Sequence, residues 1–303
     1  MKEYQPNRQI SMGNLLITLI LVTLAGLVIG VIAFGIKQVY YPIFVTPVIL
    51  ALAAVISTQW VFKKTRMRNP LIGMACGVWV GLLIYGTMHF GSYLSTREKA
   101  IGSIINRYQV TPSQASQSID QYFMDTTGSS GFFGYLKWKA DNGISFTGEI
   151  MYGGVAVPDP ANLTITSTWV WLYWLLELTI VCAGPWLAGK NLIKDHFCET
   201  HQKWYGREKQ IGNVEPGRAK QFVEFLHKGH FDNAAELVTQ GEQFTHPTVE
   251  IYVQECPARA RGVFLTVKQT ARTNTKSVKR KVISQGELDA EQYAHLTQHF
   301  EKG

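Results

Sequence analysis

The strongest candidate for a chemical role in this sequence is an acidic residue inside an apolar segment. Glu177 lies nine residues after Thr168, in the segment Thr168–Gly189, which has no other charged residue. As a transmembrane helix, this segment would place Glu177 about 14 Å into a hydrocarbon core of about 30 Å, near the midplane. An acidic residue at that depth costs about 2.5–3.5 kcal/mol on insertion, so it faces protein rather than lipid.

Partners for Glu177 are expected at similar depth on the preceding apolar segment. That segment offers Tyr85, Thr87 and, closer to the outer surface, His89. A protonated carboxyl that is hydrogen-bonded to one of them would be structural, whereas a proton or ion relay would be functional. We favour the structural role, because a single intramembrane carboxylate without a Lys, Arg or Asp partner makes a poor pathway.

Cysteine and histidine residues after this segment form a second candidate site. Cys198 and His201 make a C-x2-H pair, and Cys256 follows a later predicted strand. Thiolates and imidazoles bind zinc, and a zinc ribbon takes two such pairs. Here the second pair is incomplete, because Arg259 stands three residues after Cys256. We therefore expect no cofactor and no stoichiometric zinc, and we keep zinc bound by these three ligands as the alternative.

A basic run without any intervening acidic residue follows Cys256. It could bind anionic lipid headgroups or an acidic partner. It could equally be a solvated strand face whose charges protect a sheet edge, which is the interpretation we favour. Phe264 is the only aromatic residue in the run, which disfavours single-stranded nucleic acid as a partner. The basic residues are Arg259, Arg261, Lys268, Arg272, Lys276, Lys279, Arg280 and Lys281.

Composition and hydropathy indicate that these residues belong to a membrane protein. The 303-residue chain is 46% hydrophobic and 17% charged, whereas soluble chains carry about 25% charged residues. A membrane-spanning helix needs roughly 20 mostly apolar residues. Four segments meet that requirement: Gly13–Gly35, Tyr41–Phe62, Pro70–Tyr93 and Thr168–Gly189.

The distribution of Lys and Arg predicts the orientation of these segments. Lys63, Lys64, Arg66 and Arg68 stand within six residues of one another after the second segment, and the region after the fourth is also basic. Positive residues flank the cytoplasmic ends of spans. We therefore expect the protein in a bacterial inner membrane, with both termini in the cytoplasm and residues 94–167 outside.

Glycines spaced by four residues predict close contacts between the spans. Removing side chains from one face of a helix allows two helix backbones to approach. We expect packing within the chain, with a second protein as the alternative. The glycines are Gly26 and Gly30 on the first span and Gly73, Gly77 and Gly81 on the third.

Four regions follow from these features: a three-helix membrane region (1–94), an extracytoplasmic α/β insertion (95–167), a fourth transmembrane helix (168–189) and a cytoplasmic α+β module (190–303). In the insertion, Thr111 and Gln114 match a capping box with Pro112 at the first helical position. Short strands are expected near Ile144–Thr147 and Leu163–Thr166. In the C-terminal module, the pattern predicts two helices, three strands and a closing helix.

The function expected from the sequence is binding rather than catalysis. The sequence has no glycine-rich phosphate loop, no H-E-x-x-H and no G-x-S-x-G motif, so an enzyme is disfavoured. The leading hypothesis is a membrane accessory, assembly or scaffold protein that binds other membrane proteins or itself on both sides of the bilayer. The alternative is a small transporter, channel or proton-coupled component that uses Glu177. A membrane enzyme with a cytoplasmic metal site comes third.

Overall fold

The chain divides into two compact units. A helical unit comprises Ile10–Asn191, and a sheet unit combines Met1–Gln9 with Leu192–Gly303. The computed structural model describes residues 1–3, 10–39, 45–145, 150–152, 155–157, 164–191, 196–199, 201–239, 248–256, 262–274 and 277–298.

Four helices of the helical unit are long and apolar enough to cross a membrane. α3 packs along both α1 and α6, and α2 packs along α1 and α6. Many of their large apolar side chains are exposed in the isolated chain, as lipid-facing residues would be. This agrees with the four spans predicted from hydropathy. The four helices are α1 (Met12–Val39), α2 (Val45–Thr65), α3 (Pro70–Tyr108) and α6 (Thr168–Asn191).

Helix α3 is longer than the sequence predicts, because it continues to Tyr108 instead of ending near Tyr93. Its 39 residues correspond to about 58 Å. Charged residues after Tyr93 end the apolar run, yet Ala100, Ile101 and Ile104 keep helical spacing. These three side chains pack against a small aromatic core of the insertion, so tertiary contacts extend the helix where hydropathy stops.

Two helices and four short strands connect α3 to α6. They are α4 (Pro112–Thr127), α5 (Gly131–Asn142), β2 (Ile144–Ser145), β3 (Ile150–Tyr152), β4 (Val155–Val157) and β5 (Thr164–Ile165). The capping box predicted at Thr111 and Gln114 is confirmed, because both reciprocal hydrogen bonds are present. The strands predicted near Ile144–Thr147 and Leu163–Thr166 are present as β2 and β5, and these two strands pair with each other.

The sheet unit contains an antiparallel sheet of six strands in the order β1-β12-β11-β10-β8-β9. Helices α7, α8 and α9 contribute to one hydrophobic core with the central strands, and β6 and β7 form a separate hairpin. The elements are β1 (Lys2–Glu3), β6 (Phe197–Cys198), β7 (Lys203–Trp204), β8 (Lys209–Val214), α7 (Ala219–Lys228), α8 (Phe231–Ala235), β9 (Val238–Thr239), β10 (Thr248–Glu255), β11 (Gly262–Asn274), β12 (Ser277–Asp289) and α9 (Ala290–Thr297).

Three strands of this sheet were not in the predicted order of elements. β8 precedes the helices, where no strand was expected, and pairs with β10. β9, between α8 and β10, was not expected either, and it pairs with β8. β1 comes from the opposite end of the chain and pairs with β12, with Lys2 opposite Glu287. A two-residue strand has no periodicity that a sequence pattern could reveal.

The glycines of α3 and α1 lie at contacts between helices of this chain. A Cβ atom on Gly77 would collide with the backbone of Pro185 on α6, and one on Gly81 would lie 2.6 Å from Cys182 Sγ. A Cβ on Gly26 would lie 2.9 Å from Leu83 Cβ, and one on Gly30 would lie 2.7 Å from Thr87 Cβ. A Cβ on Gly189 of α6 would in turn collide with the backbone of Gly73. These glycines therefore set the spacing of α3 to its neighbours.

Candidate functional site

The helical unit holds a buried polar cluster around Glu177. This side chain is 3% exposed. The hydroxyl of Tyr85 on α3 donates a hydrogen bond to Glu177 Oε2 at 3.1 Å, and the hydroxyl of Tyr173 donates to Oε1. Tyr173 precedes Glu177 by one helical turn, so the two share a face of α6. Both carboxyl oxygens are thus satisfied inside the protein.

A cation also lies within electrostatic range of Glu177, which differs from the sequence analysis. Lys37, assigned there to the connection after the first span, stands in the last turn of α1 because that helix continues past Gly35 to Val39. Its charge interacts with those of Glu177 and of Lys139 on α5. Lys37, which was not considered as a neighbour of Glu177 in the sequence analysis, therefore belongs to its electrostatic surroundings.

A pocket of about 270 Å³ adjoins this cluster. His89 lines it and is 4% exposed, and neither of its ring nitrogens has a hydrogen-bond partner among the described residues. The centroid of the imidazole ring lies 4.5 Å from that of the Tyr85 ring, one turn away on α3, and 5.2 Å from that of the Trp174 ring. The structure therefore groups Tyr85 and His89 with Glu177, whereas Thr87 lies at the α1 contact instead.

In the sheet unit, the three residues considered for zinc come together. Cys198 and His201 stand in the β6–β7 hairpin, and Cys256 immediately follows β10. The distance from His201 Nδ1 to Cys198 Sγ is 3.3 Å, and that to Cys256 Sγ is 3.6 Å. All three ligand atoms lie within 4.8 Å of one another. Residues 55 positions apart in the chain thus form one Cys–His cluster.

The surroundings of the Cys–His cluster are protected and polar. Both cysteines are buried, and burial raises the pKa of the Cys198 thiol. Tyr205 lies beside Cys198, and its hydroxyl donates a hydrogen bond to Glu287 Oε1 at 3.3 Å. Burial, followed by the nearby charge of Glu287, raises the pKa of Tyr205 well above its ordinary value. Tyr205 therefore remains protonated at neutral pH and holds one hydrogen for donation.

The basic run is divided by the structure between paired and exposed side chains. Lys268 forms an ion pair with Glu208, and Arg280 lies 3.5 Å from Glu250. Lys281 is exposed on β12. The backbones of Arg272 and Lys279 lie in β11 and β12, and Arg259, Arg261 and Lys276 fall outside the described residues.

Three residues of these sites were not singled out from the sequence. Tyr173 had a signal, since it lies four residues before Glu177 in the same helix. Lys37 and Tyr205 had none, because their roles depend on where α1 ends and on how β12 approaches the hairpin. In comparisons of sequence and fold, no protein-family model, curated protein or solved structure matches this chain.

Proposed function

We propose that this protein is an integral membrane assembly or scaffold subunit that acts by binding other proteins. The sheet unit lies in the cytoplasm in this proposal, and the insertion between α3 and α6 lies outside a bacterial inner membrane. Support for the orientation comes from Lys63, Lys64, Arg66 and Arg68 between α2 and α3, together with Lys190 at the end of α6.

The observation that carries the proposal is a projecting hairpin arm, formed by residues 271–274 of β11 and 277–279 of β12. The pairing of β10 with β11 ends where Thr248 lies opposite Thr270. Beyond that point the two strands of the arm have only each other as partners among the described strands. A two-stranded ribbon that extends past its sheet presents its backbone and both faces to a partner.

The chemistry of the arm and its base favours an acidic partner protein. Arg272 and Lys279 lie in the two strands of the arm, Lys276 lies between them in the sequence, and no acidic residue lies among the three. At the base, Val282 and Ile283 are 47% and 40% exposed although both are aliphatic. Basic residues steer an acidic partner towards the surface, and exposed aliphatic residues supply apolar contact.

Affinity purification of the tagged full chain in mild detergent tests this function. We expect a membrane or peripheral protein to co-purify in stoichiometric amount. The double variant Lys279→Glu/Lys281→Glu should reduce its recovery by about tenfold at low salt, because two attractive charges become repulsive. The control Arg207→Glu/Lys209→Glu makes the same change in net charge at exposed positions, near the end of β10 that lies away from the arm, and should leave recovery unchanged.

Two outcomes would contradict the proposal. One is recovery of the partner that is insensitive to the arm variant. The other is a protein that purifies alone but binds vesicles containing anionic lipid through the arm, because this would make the basic run a lipid-binding surface.

A proton-coupled membrane component is a second candidate function, and the buried polar cluster favours it. Glu177, Tyr85 and His89 line or adjoin one pocket, and Lys37 interacts with the same carboxylate. Proton flux into liposomes that contain the purified protein tests this function. Flux that is lost in Glu177→Gln and in His89→Gln, but kept in the control Thr179→Val, would support it. Flux equal to that of empty liposomes would exclude it.

A further inference from the structure

Two ordinary hydrogen bonds do not account for the arrangement of the Cys–His cluster. A ring nitrogen of neutral histidine donates one hydrogen bond or accepts one. Both sulfur atoms nevertheless lie within 3.6 Å of the same atom, His201 Nδ1. One of the two contacts therefore cannot be a full hydrogen bond. A cation at the centre of the three atoms would satisfy all of them at once.

The distances agree with the geometry of tetrahedral zinc. Zn–S bonds of about 2.3 Å and Zn–N bonds of about 2.0–2.1 Å place neighbouring S and N ligands about 3.5 Å apart at the tetrahedral angle. The two measured S–N distances, 3.3 and 3.6 Å, lie on either side of that value. Two sulfurs and one imidazole form a ligand set that selects Zn²⁺ over the harder cations Mg²⁺ and Ca²⁺.

A polar side chain lies beside the Cys–His cluster. Tyr205 neighbours Cys198, and its hydroxyl donates a hydrogen bond to Glu287. Groups that hydrogen-bond to metal ligands orient them and tune the affinity of the site. A water molecule can complete the tetrahedron, as in zinc sites with three protein ligands.

We propose that Cys198, His201 and Cys256 bind one Zn²⁺ ion, with water as the fourth ligand. Binding replaces the two thiol protons, which pass to the solvent, so that two thiolates balance the charge of the ion. This departs from the expectation based on spacing, which required a second complete pair of ligands. The metal would tie the β6–β7 hairpin to the end of β10, and so fasten the start of the sheet unit to its central strands.

Metal analysis of the full-length protein in detergent tests the proposal. Protein that is stripped with a chelator and then given equimolar Zn²⁺ should retain about one zinc per chain after desalting. The variants Cys198→Ser and Cys256→Ser should lose it, whereas the control Cys182→Ser, which changes a cysteine of α6, should keep it. Zinc retained equally by all three variants, or by none of the proteins including the unmodified one, would overturn the proposal.

Two further measurements keep the test decisive if a serine variant fails to fold. Co²⁺ in place of zinc should give visible absorption of a tetrahedral site with a thiolate-to-metal band, and an octahedral spectrum without that band would contradict the proposal. The variant His201→Cys should still bind zinc, because it exchanges one zinc ligand for another. Tyr205→Phe should weaken zinc binding about tenfold in competition with a chelator, since it removes the hydroxyl beside Cys198 together with its hydrogen bond to Glu287.

Discussion

At the scale of single residues, depth in the membrane was a better guide than local spacing. Tyr85 could be named as a partner of Glu177 because the two lie at similar depth on different spans, and the structure joins them by a hydrogen bond. Cys198, His201 and Cys256 were also named together from the sequence, but spacing along the chain could not show that their ligand atoms lie within 4.8 Å of one another. Lys37 could not be predicted, because its position depends on about one extra turn of α1 beyond Gly35.

The buried carboxyl of Glu177 allows a prediction about stability. Glu177→Gln should fold nearly as well as the unmodified protein, because the amide can accept a hydrogen bond from one tyrosine and donate one to the other. Glu177→Leu leaves the hydroxyls of Tyr85 and Tyr173 without their acceptor and should cost about 1–3 kcal/mol for each group. Thermal unfolding in detergent measures the difference.

A compensating variant provides the control for Glu177. Tyr85→Phe and Tyr173→Phe combined with Glu177→Leu remove both sides of the two hydrogen bonds, and should recover most of the loss. If Glu177→Leu alone were as stable as Glu177→Gln, the hydrogen bonds to the tyrosines would not be what holds this part of α3 and α6 together.

At the scale of elements, the sequence signals that correctly predicted a helix or span are local, whereas the elements that were missed depend on residues far away in the chain. The capping box at Thr111 correctly placed the start of α4, because its hydrogen bonds involve only four consecutive residues. Apolar runs predicted the spans for the same reason. The extension of α3 and the strands β1 and β8 depend on distant partners, so no window of the sequence contains the cause. The same holds for the joining of the β6–β7 hairpin to Cys256.

The contact between α3 and α6 leads to a prediction about glycine. Gly77→Ala should destabilise the helical unit by about 1–3 kcal/mol, because its methyl group would collide with the backbone of Pro185, which cannot move aside as a side chain can. Gly86→Ala is the matched control on the same helix, since nothing lies within 4 Å of its Cβ position. It should be neutral or slightly stabilising. Equal melting temperatures for the two variants would show that α3 and α6 are not held at this spacing.

At the scale of the whole molecule, the sheet unit contains segments from both ends of the sequence. β1 precedes α1 and β12 follows α6, yet the two strands pair in one sheet. Segments that belong to one folded unit must lie on the same side of a membrane. That condition requires an even number of crossings, which four helices satisfy. The strand pairing fixes only that the number is even, and hydropathy supplies the count of four.

The charged residues that flank the helices predict which side of the membrane the sheet unit occupies, and reporter fusions can measure it. Gly128 is an exposed residue between α4 and α5, and its positive φ angle of 68° marks the end of α4. A reporter that is active only in the cytoplasm should be silent when inserted at Gly128 and active when fused after Gly303, because the positive-inside rule predicts a cytoplasmic location for the basic residues Lys63 to Arg68. Replacing the four basic residues between α2 and α3 with Gln should make the signals less distinct, because the largest cluster of flanking charge is removed.

An active reporter at Gly128 would invert the membrane arrangement and place the sheet unit, with its hairpin arm and its Cys–His cluster, outside the cell. The β1–β12 pairing would survive that inversion, since it fixes only that both segments share a side.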